Sequence, residues 1–554
     1  MDDASRLDVY HFYEREWESY EELRSWFEWE VPDEFNKATY ACDRWVGEDR
    51  VAVYADGEDR DARAYTFEDL ADRANALANH LADSGVEQGD RVAVTASQLV
   101  ETPIAHLAVW KLGAVSVPVS PLFGTEALRY RFADAGVEAA VLDGRILSTL
   151  SEVVEDVPPL ETVVSLDPGT DHGVATTAYD DAIRGGSSRF ETVETAASDP
   201  AIIVYTSGTT GKPKGVVHSH EYLLGVLPQY VTLLHNLEID GNECFWTPVE
   251  WGWVGSFFAG VMPGLFYGAA SVAYEAERFD PETSFRVVDE YDVTSTVVPP
   301  TAVRQMARTD VASDHDLSSV RAVVCGGEAL GGSIVDWITT TFDAPVHDGY
   351  GQTEATSIIG GLEALGVVKR GKLGKPIVGT ETTILDAETG EETVPPDEVG
   401  EIAVRYGEDP SLFDRYWNRP EETERKVQDG WLLTEDLGTV DEEGFYEFVS
   451  RKDDVIISSG YRIGPEEIED ALSAHETVVD AGVVGVPDED RGEVPKAFVV
   501  LAEDVDPGES VTEELQDHVR RTLAVYKYPR EIEYRDSLPT TSTGKLKRDA
   551  LREE

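Results

Sequence analysis

The passage that most constrains this chain is Ala201-Ile202-Ile203-Val204-Tyr205-Thr206-Ser207-Gly208-Thr209-Thr210-Gly211-Lys212-Pro213-Lys214-Gly215. An apolar run opening into small hydroxyl residues, three glycines and two lysines predicts a strand that feeds a phosphate-gripping loop. Glycines let backbone N–H groups approach phosphate oxygens, Ser and Thr add short donors, and the lysines supply charge. It is not a Walker A loop. The glycine spacing differs, and Pro213 follows Lys212 where that pattern needs Ser or Thr.

Charge narrows the partners. The 554 residues carry 108 Asp+Glu against 46 Lys+Arg, a formal net charge of -62. Nucleic acid and anionic membranes would repel such a surface, so neither is an expected partner. The acids run along the whole length, so an acidic tail does not explain them. Screening does: charges interact over roughly 30 Å at 0.01 M salt and only about 3 Å at 1 M. The composition therefore suits a salt-loaded cytoplasm. Only 13 of the basic residues are Lys, and Lys212, Lys214, Lys452, Lys496, Lys527, Lys545 and Lys547 all fall in motifs.

Cys42, Cys244 and Cys325 are far apart and match no metal spacing, which points to a reduced cytosolic protein. The acidic start Met1-Asp2-Asp3-Ala4-Ser5 has no apolar core and is not a signal peptide. Val254 to Tyr274 contains no charge, but Pro263-Gly264 interrupts it and acids flank both sides. It reads as a buried helix followed by a core strand from Ala270 to Tyr274, not as a membrane span.

β-rich runs at 91–94, 139–142, 202–205, 295–298 and 321–324 alternate with amphipathic stretches such as Thr66 to Ser84. The expected fold class is α/β, with a large N-terminal domain of helix-covered sheets. From about Gly379 to Phe448 short strands and turn clusters predict a small antiparallel β subdomain. A smaller α+β domain should follow, with helices at 465–474 and 511–525 and strands at 480–486 and 497–501. The expected division is an N-terminal domain at 1–450, a hinge at 451–454 and a C-terminal domain at 455–554.

Further motifs follow in order: Cys325-Gly326-Gly327-Glu328-Ala329, Asp348-Gly349-Tyr350-Gly351-Gln352-Thr353-Glu354, Trp431 to Gly438 with Asp436, Arg451-Lys452-Asp453-Asp454, Ser458 to Glu469, and Pro539 to Arg548 with Lys545. A tyrosine face can stack on a purine, Thr353 can bond a phosphate oxygen, and Glu354 can hold a magnesium ion bridging phosphates. With the loop at 205–215, these motifs resemble, over nearly the whole chain, the adenylate-forming (AMP-binding) enzymes. The C-terminal half looks most like the medium-chain acyl-CoA synthetases. The relevant pieces are 456–465, Arg491-Gly492-Glu493-Val494-Pro495-Lys496-Ala497 and Tyr526-Lys527-Tyr528-Pro529-Arg530.

The resemblance implies an ATP-dependent acid–thiol ligase. A carboxylate and ATP would form an acyl-adenylate with loss of diphosphate, and coenzyme A would then take the acyl group with loss of AMP. Thr206, Ser207, Gly208, Thr209, Thr210, Gly211, Lys212 and Lys214 would bind ATP phosphates. Gly327, Glu328, Asp348, Gly349, Tyr350, Gly351, Gln352, Thr353, Arg451 and Arg462 would complete the nucleotide site, and Asp436 would accept the ribose hydroxyls. Lys545, Thr353 and Glu354 would be catalytic, with magnesium on Glu354. The last domain would swing about Asp453 and bring in coenzyme A on Ser459, Gly460, Tyr461, Arg491, Tyr526, Lys527 and Tyr528.

The expected partners are a small carboxylic acid, ATP and coenzyme A; no motif speaks to oligomeric state. Trp246, Trp251, Trp253 and Phe257 suit an aromatic-walled acyl pocket or an aromatic core. Acetate-specific members of the family carry a tryptophan just before Gln-Thr-Glu, where this chain has Gly351. A glycine there implies an open pocket floor and a short- to medium-chain fatty acid. Acetyl, propionyl or aryl acids, or loading of a separate carrier protein, are the alternatives.

Overall fold

The computed structural model describes residues 6–552 except 59, 158–159, 168–172, 207–211, 277, 328–329, 388, 391–393, 459–460, 489–490, 503–504, 524–526 and 541–545. Two large sheets, a small antiparallel sheet and a further five-stranded sheet make up the chain. In the eight-stranded sheet, Arg91–Thr95, Val115–Val119, Ala139–Leu142 and Thr162–Ser165 run parallel. One edge turns antiparallel through the hairpin Pro200–Thr206 and Lys214–Ser219 and then Arg415–Tyr416. In the nine-stranded sheet the parallel centre is Ala270–Glu275, Cys244–Trp246, Ser295–Val297, Ala322–Gly326 and Val346–Gln352. Each expected β run overlaps one of these strands, with Val298 and Arg321 just outside.

The elements form for local reasons. The helix Phe67–Asp83 starts at Thr66, whose hydroxyl accepts from the Asp69 amide while the Asp69 carboxylate accepts from the Thr66 amide. This reciprocal cap satisfies two amides the helix leaves open. Leu70, Ala74, Leu77 and Leu81 are all buried, which explains the 3.6-residue period. The helix Glu101–Lys111 buries Ile104, Leu107, Ala108 and Trp110 together with His106 and Lys111, so it is covered all round and sits in the core. The uncharged stretch becomes a π-helix, Val254–Val261, then the α-helix Met262–Tyr267 and the strand Ala270–Glu275. Among the described residues no helix is long and apolar enough to cross a membrane.

The small antiparallel sheet holds Thr382–Leu385, Gly400–Arg405, Val427–Gln428, Trp431–Val440 and Tyr446–Arg451. After it come the hairpin Ile456–Ser458 and Tyr461–Ile463, the helix Pro465–Ser473, and the long pair Val478–Asp488 and Gly492–Leu501. The helix expected at 511–525 spans Glu509–Thr522. The Ile456–Ile463 hairpin was not expected as strands, because three-residue strands leave almost no alternation to read.

Candidate active site

The elements converge on one cavity of about 1820 Å³, walled by both large sheets, the small sheet and the last unit. Thr206, Lys212, Lys214, Gly327 and the run Asp348 to Glu354 line it, as do Asp436, Arg451, Lys527 and Trp253. Ser207, Gly208, Thr209, Thr210, Gly211, Glu328, Ser459, Gly460, Tyr526 and Lys545 lie outside the described residues. Tyr461 and Arg462 are described as backbone alone, in the strand Tyr461–Ile463.

The glycine-rich passage sits between the two strands of a hairpin, with Thr206 paired to Lys214 across the stem. The Lys214 ammonium is 3.1 Å from the Glu422 carboxylate and 4.9 Å from the centre of the Tyr416 ring. The Tyr416 hydroxyl in turn donates to Glu354 Oε1 at 2.6 Å. Burial, and then the Glu354 charge, push the Tyr416 phenol far up, so it stays a donor. Lys212 lies 5.5 Å from the Tyr130 ring, whose hydroxyl donates to the Pro213 carbonyl at 2.9 Å.

Behind this face, Val346–Gln352 carries the second motif. Gly326 faces Gly349 in the neighbouring strand, and a Cβ at Gly326 would come within 2.5 Å of the Gly349 carbonyl. Glycine is what allows the approach. Removal from water pushes the Asp348 carboxyl up to about 7, and Asp470 across the cavity acts in the same direction. The Tyr350 hydroxyl donates to Asp436 Oδ2 at 2.7 Å, and the Gln352 amide donates to the Thr434 carbonyl at 2.9 Å. His218 is lowered to about 3 by burial and is neutral; its Nε2 lies 2.8 Å from the Thr353 carbonyl, so the proton belongs on Nε2. Asp436 is paired in register with Arg451, whose Nε donates to Asp453 at 3.0 Å.

Among the described residues the last unit presents acids, Lys527 and Lys547 to the cavity. Lys527 pairs with Glu467 at 2.5 Å, while Lys496 pairs with Glu533 at 2.8 Å. Arg548 contacts Glu466, Glu469 and Asp454, all mostly buried. Thr540 and Leu546, on either side of 541–545, both border the cavity and pair with each other. Arg491 is exposed and, with Tyr528 and Asp453, is not among the described residues of the cavity wall. Tyr528 instead lies between the guanidinium groups of Arg520 and Arg530, at 3.8 and 4.0 Å from its ring centre.

Two expectations for the acyl pocket need correction. Trp251 is 1 % exposed and packs on Phe257 in the core, as Trp246 does in another cluster; of the four aromatics only Trp253 borders the cavity. A flat apolar ring suits a core and a pocket equally, and only the packing separates them. Gly351 borders the cavity, but its Cβ direction is filled: a methyl there would meet Ser357 N at 2.2 Å and Ala355 O at 2.6 Å. Its lack of a side chain is required by the neighbouring strand and opens no pocket floor. Sequence reasoning missed Gln229, Leu233, Val254, Ala259 and Val297, which line the cavity. The available signal was Gln229, a lone amide inside the uncharged run Tyr222 to Leu234.

Comparison with known proteins agrees with this geometry. The model of the AMP-binding enzyme family matches residues 42–417, and that of the AMP-binding enzyme C-terminal domain matches 467–545. An acyl–CoA ligase of Bacillus subtilis, YtcI, whose own function is uncharacterised, is 35% identical over 503 residues, covering 91% of this chain and 93% of the relative. Acetyl-coenzyme A synthetase of the same organism is 33% identical over 550 residues, covering 96% and 94%. The structure of the anthranilate CoA ligase AuaEII with anthranoyl-AMP superposes with a TM-score of 0.85 at 27% identity, covering 94% of this chain and 98% of that one. The chain therefore belongs to the AMP-binding enzyme family, among its acyl-CoA synthetases, the AMP-forming acid–thiol ligases.

Proposed function

We propose that this cavity activates a short- to medium-chain carboxylic acid as its acyl-adenylate and then passes the acyl group to coenzyme A. The observation that carries the reading is the shared wall. The stem of the glycine hairpin, Glu354, the Asp436–Arg451 rung and both ends of the segment bearing Lys545 border one cavity.

Carboxylate and triphosphate are both anions, and the five-coordinate phosphorus adds charge, so fixed cations and oriented donors must come before any gain from proximity. Lys214 and the hairpin hold the β- and γ-phosphates, Asp436 accepts the ribose hydroxyls, and Lys545 bridges the carboxylate and the α-phosphate. Glu354 fits magnesium: it offers a single carboxylate, oriented by Tyr416, and magnesium is commonly held by one or two carboxylates plus substrate phosphates. When bound it would neutralise phosphate charge. Asp453, held by Arg451 between two sheets, is the pivot that withdraws Lys545 and admits coenzyme A beside Lys527. A net charge of -62 and three free buried thiols support a reducing, salt-loaded cytoplasm as the setting.

Pyrophosphate release that requires both enzyme and acid tests the reading. Lys545→Ala should abolish adenylate formation and leave thioester formation from a supplied acyl-adenylate largely intact. Asp453→Pro should do the reverse, since a fixed φ stops the swing. Loss of the same half-reaction in both variants would refute the assigned roles.

A further inference from the structure

The cavity has an apolar end, and a buried side-chain amide in the wall there has no partner among the described residues. Gln229 ends the short helix Leu227–Gln229, borders the cavity and is 1 % exposed. Leu233, about one turn further on, borders it too, as do Trp253, Val254, Ala259 and Val297. The segment Tyr230–Leu234 packs on Val254–Val261 and on the strands Ser295–Val297 and Ala322–Gly326, which places this wall beneath the nucleotide-facing strands.

Neither Nε2 nor Oε1 of Gln229 has a hydrogen-bond partner among the described residues, and both atoms are buried. Several nearby hydroxyls are committed elsewhere: Thr232 donates to the Pro228 carbonyl, Tyr222 to Thr356, and Ser256 to the Glu250 carbonyl. The buried Tyr230 and Thr296 hydroxyls also have no partner among the described residues, but neither residue is among those that border the cavity. An amide taken from water without partners is costly, and buried polar groups in native proteins are nearly always paired. A leucine would fill the same wall without that cost. The amide therefore calls for a partner that arrives with the substrate.

We propose that Gln229 is a specificity residue that pairs with a hydroxyl on the acyl chain, so that the preferred substrates are hydroxy acids. This rests on the reading of the cavity as an acyl-activating site. The chemistry favours a hydroxyl because the amide offers N–H donors and a carbonyl acceptor together. A hydroxyl has one donor and two acceptor lone pairs, so one small neutral group can close both. A second carboxylate only accepts and would bring charge into an apolar wall. An ammonium only donates and carries the same penalty. Sites built to hydrogen-bond a substrate hydroxyl also discriminate far more sharply than pockets that count methylenes.

The test uses the full-length enzyme in molar KCl. ATP–pyrophosphate exchange and CoA thioester formation are measured with butanoate, pentanoate and hexanoate and with their 2-, 3-, 4- and terminal hydroxy forms. We expect one hydroxyl position to raise kcat/KM at least about tenfold over the parent acid, chiefly through KM. Gln229→Leu should erase or invert that ratio, a change that a purely structural role for the amide would not produce. Parent acids that match or exceed every hydroxy form overturn the proposal, as does a ratio unchanged in the leucine variant. If that variant does not fold, the wild-type ratio alone decides. Exchange with no carboxylic acid at all would sink the acyl-activation reading itself, and with it this one.

Discussion

Gly351 borders a cavity without enlarging it. A single methyl group would press on backbone atoms of Ala355 and Ser357, and these belong to the strand that follows Glu354. We expect Gly351→Ala to cost about 1–3 kcal/mol, as overpacking does, with activity falling on all acids together. Denaturant unfolding in molar KCl and a ladder of linear acids check this. A stable Gly351→Trp enzyme that has turned to acetate would show that the strand yields. The readable residues were those whose type and spacing phosphate chemistry demands: Lys214, Glu354, Asp436 and Arg451 all reach the cavity wall. Trp251 was misread, because an indole serves a core as well as a pocket. Gln229 showed only as a lone amide in an apolar run, since its place in the wall depends on how helices far apart in the chain pack around it.

Among the elements, the helix Pro465–Ser473 depends on a residue beyond Lys545. Arg548 is 13 % exposed and is held charged by Glu466, Glu469 and Asp454, while burial pushes the Glu466 carboxyl up to about 8. Arg548→Met should leave Glu466 and Glu469 crowded without a counter-charge, Asp454 keeping Arg552, and cost about 3–5 kcal/mol. Hydrogen exchange over 465–473 should accelerate well before the rest of the chain loosens; uniform protection would show that the cluster is dispensable. Long elements were legible because period survives in them: Phe67–Asp83 lies within a residue of its expected ends. The π-helix Val254–Val261 was legible as a helix only, since its wider winding leaves no mark in an all-apolar run. The short hairpin after the Asp453 turn was lost for want of length.

For the whole molecule, charge sets the working conditions. With -62 formal charges, compactness and activity should fall as KCl drops below molar levels. An unchanged melting temperature in 50 mM salt would contradict this. Acidity acts through the carboxyls withdrawn from water: Asp348, Asp414 and Glu250 are each pushed up to about 7, chiefly by burial. The unfolded chain ionises these groups near pH 4, so between about pH 4 and 7 these three positions bind more protons in the folded chain than in the unfolded one. Their contribution is complete below the lower value and is lost as pH rises through the upper. Each of these three carboxyls should thus take stability away between about pH 4.5 and 7 in molar KCl, by up to about 1.4 kcal/mol per unit, against the buried His106, His218 and His235, which add it. Stability of Asp348→Asn relative to the parent should rise between about pH 4.5 and 7 as the Asp348 share is removed; a difference that does not change with pH would show that Asp348 does not titrate in this range.

The hairpin stem around 207–211 is hydrogen-bonded on both sides, Thr206 to Lys214 within the hairpin and Val216 and Val217 to Tyr416 and Arg415 beyond it. A loop that begins and ends on paired rungs has endpoints that do not depend on its own length. Insertions or deletions there alter its reach and leave Lys214 and Tyr416 where they are. One residue gained or lost inside Lys214–Ser219 would turn that side chain to the opposite face, because neighbours on a strand alternate. Lineages descending from this chain thus inherit one segment whose length only its hold on phosphate constrains, bordered by another whose length strand pairing freezes.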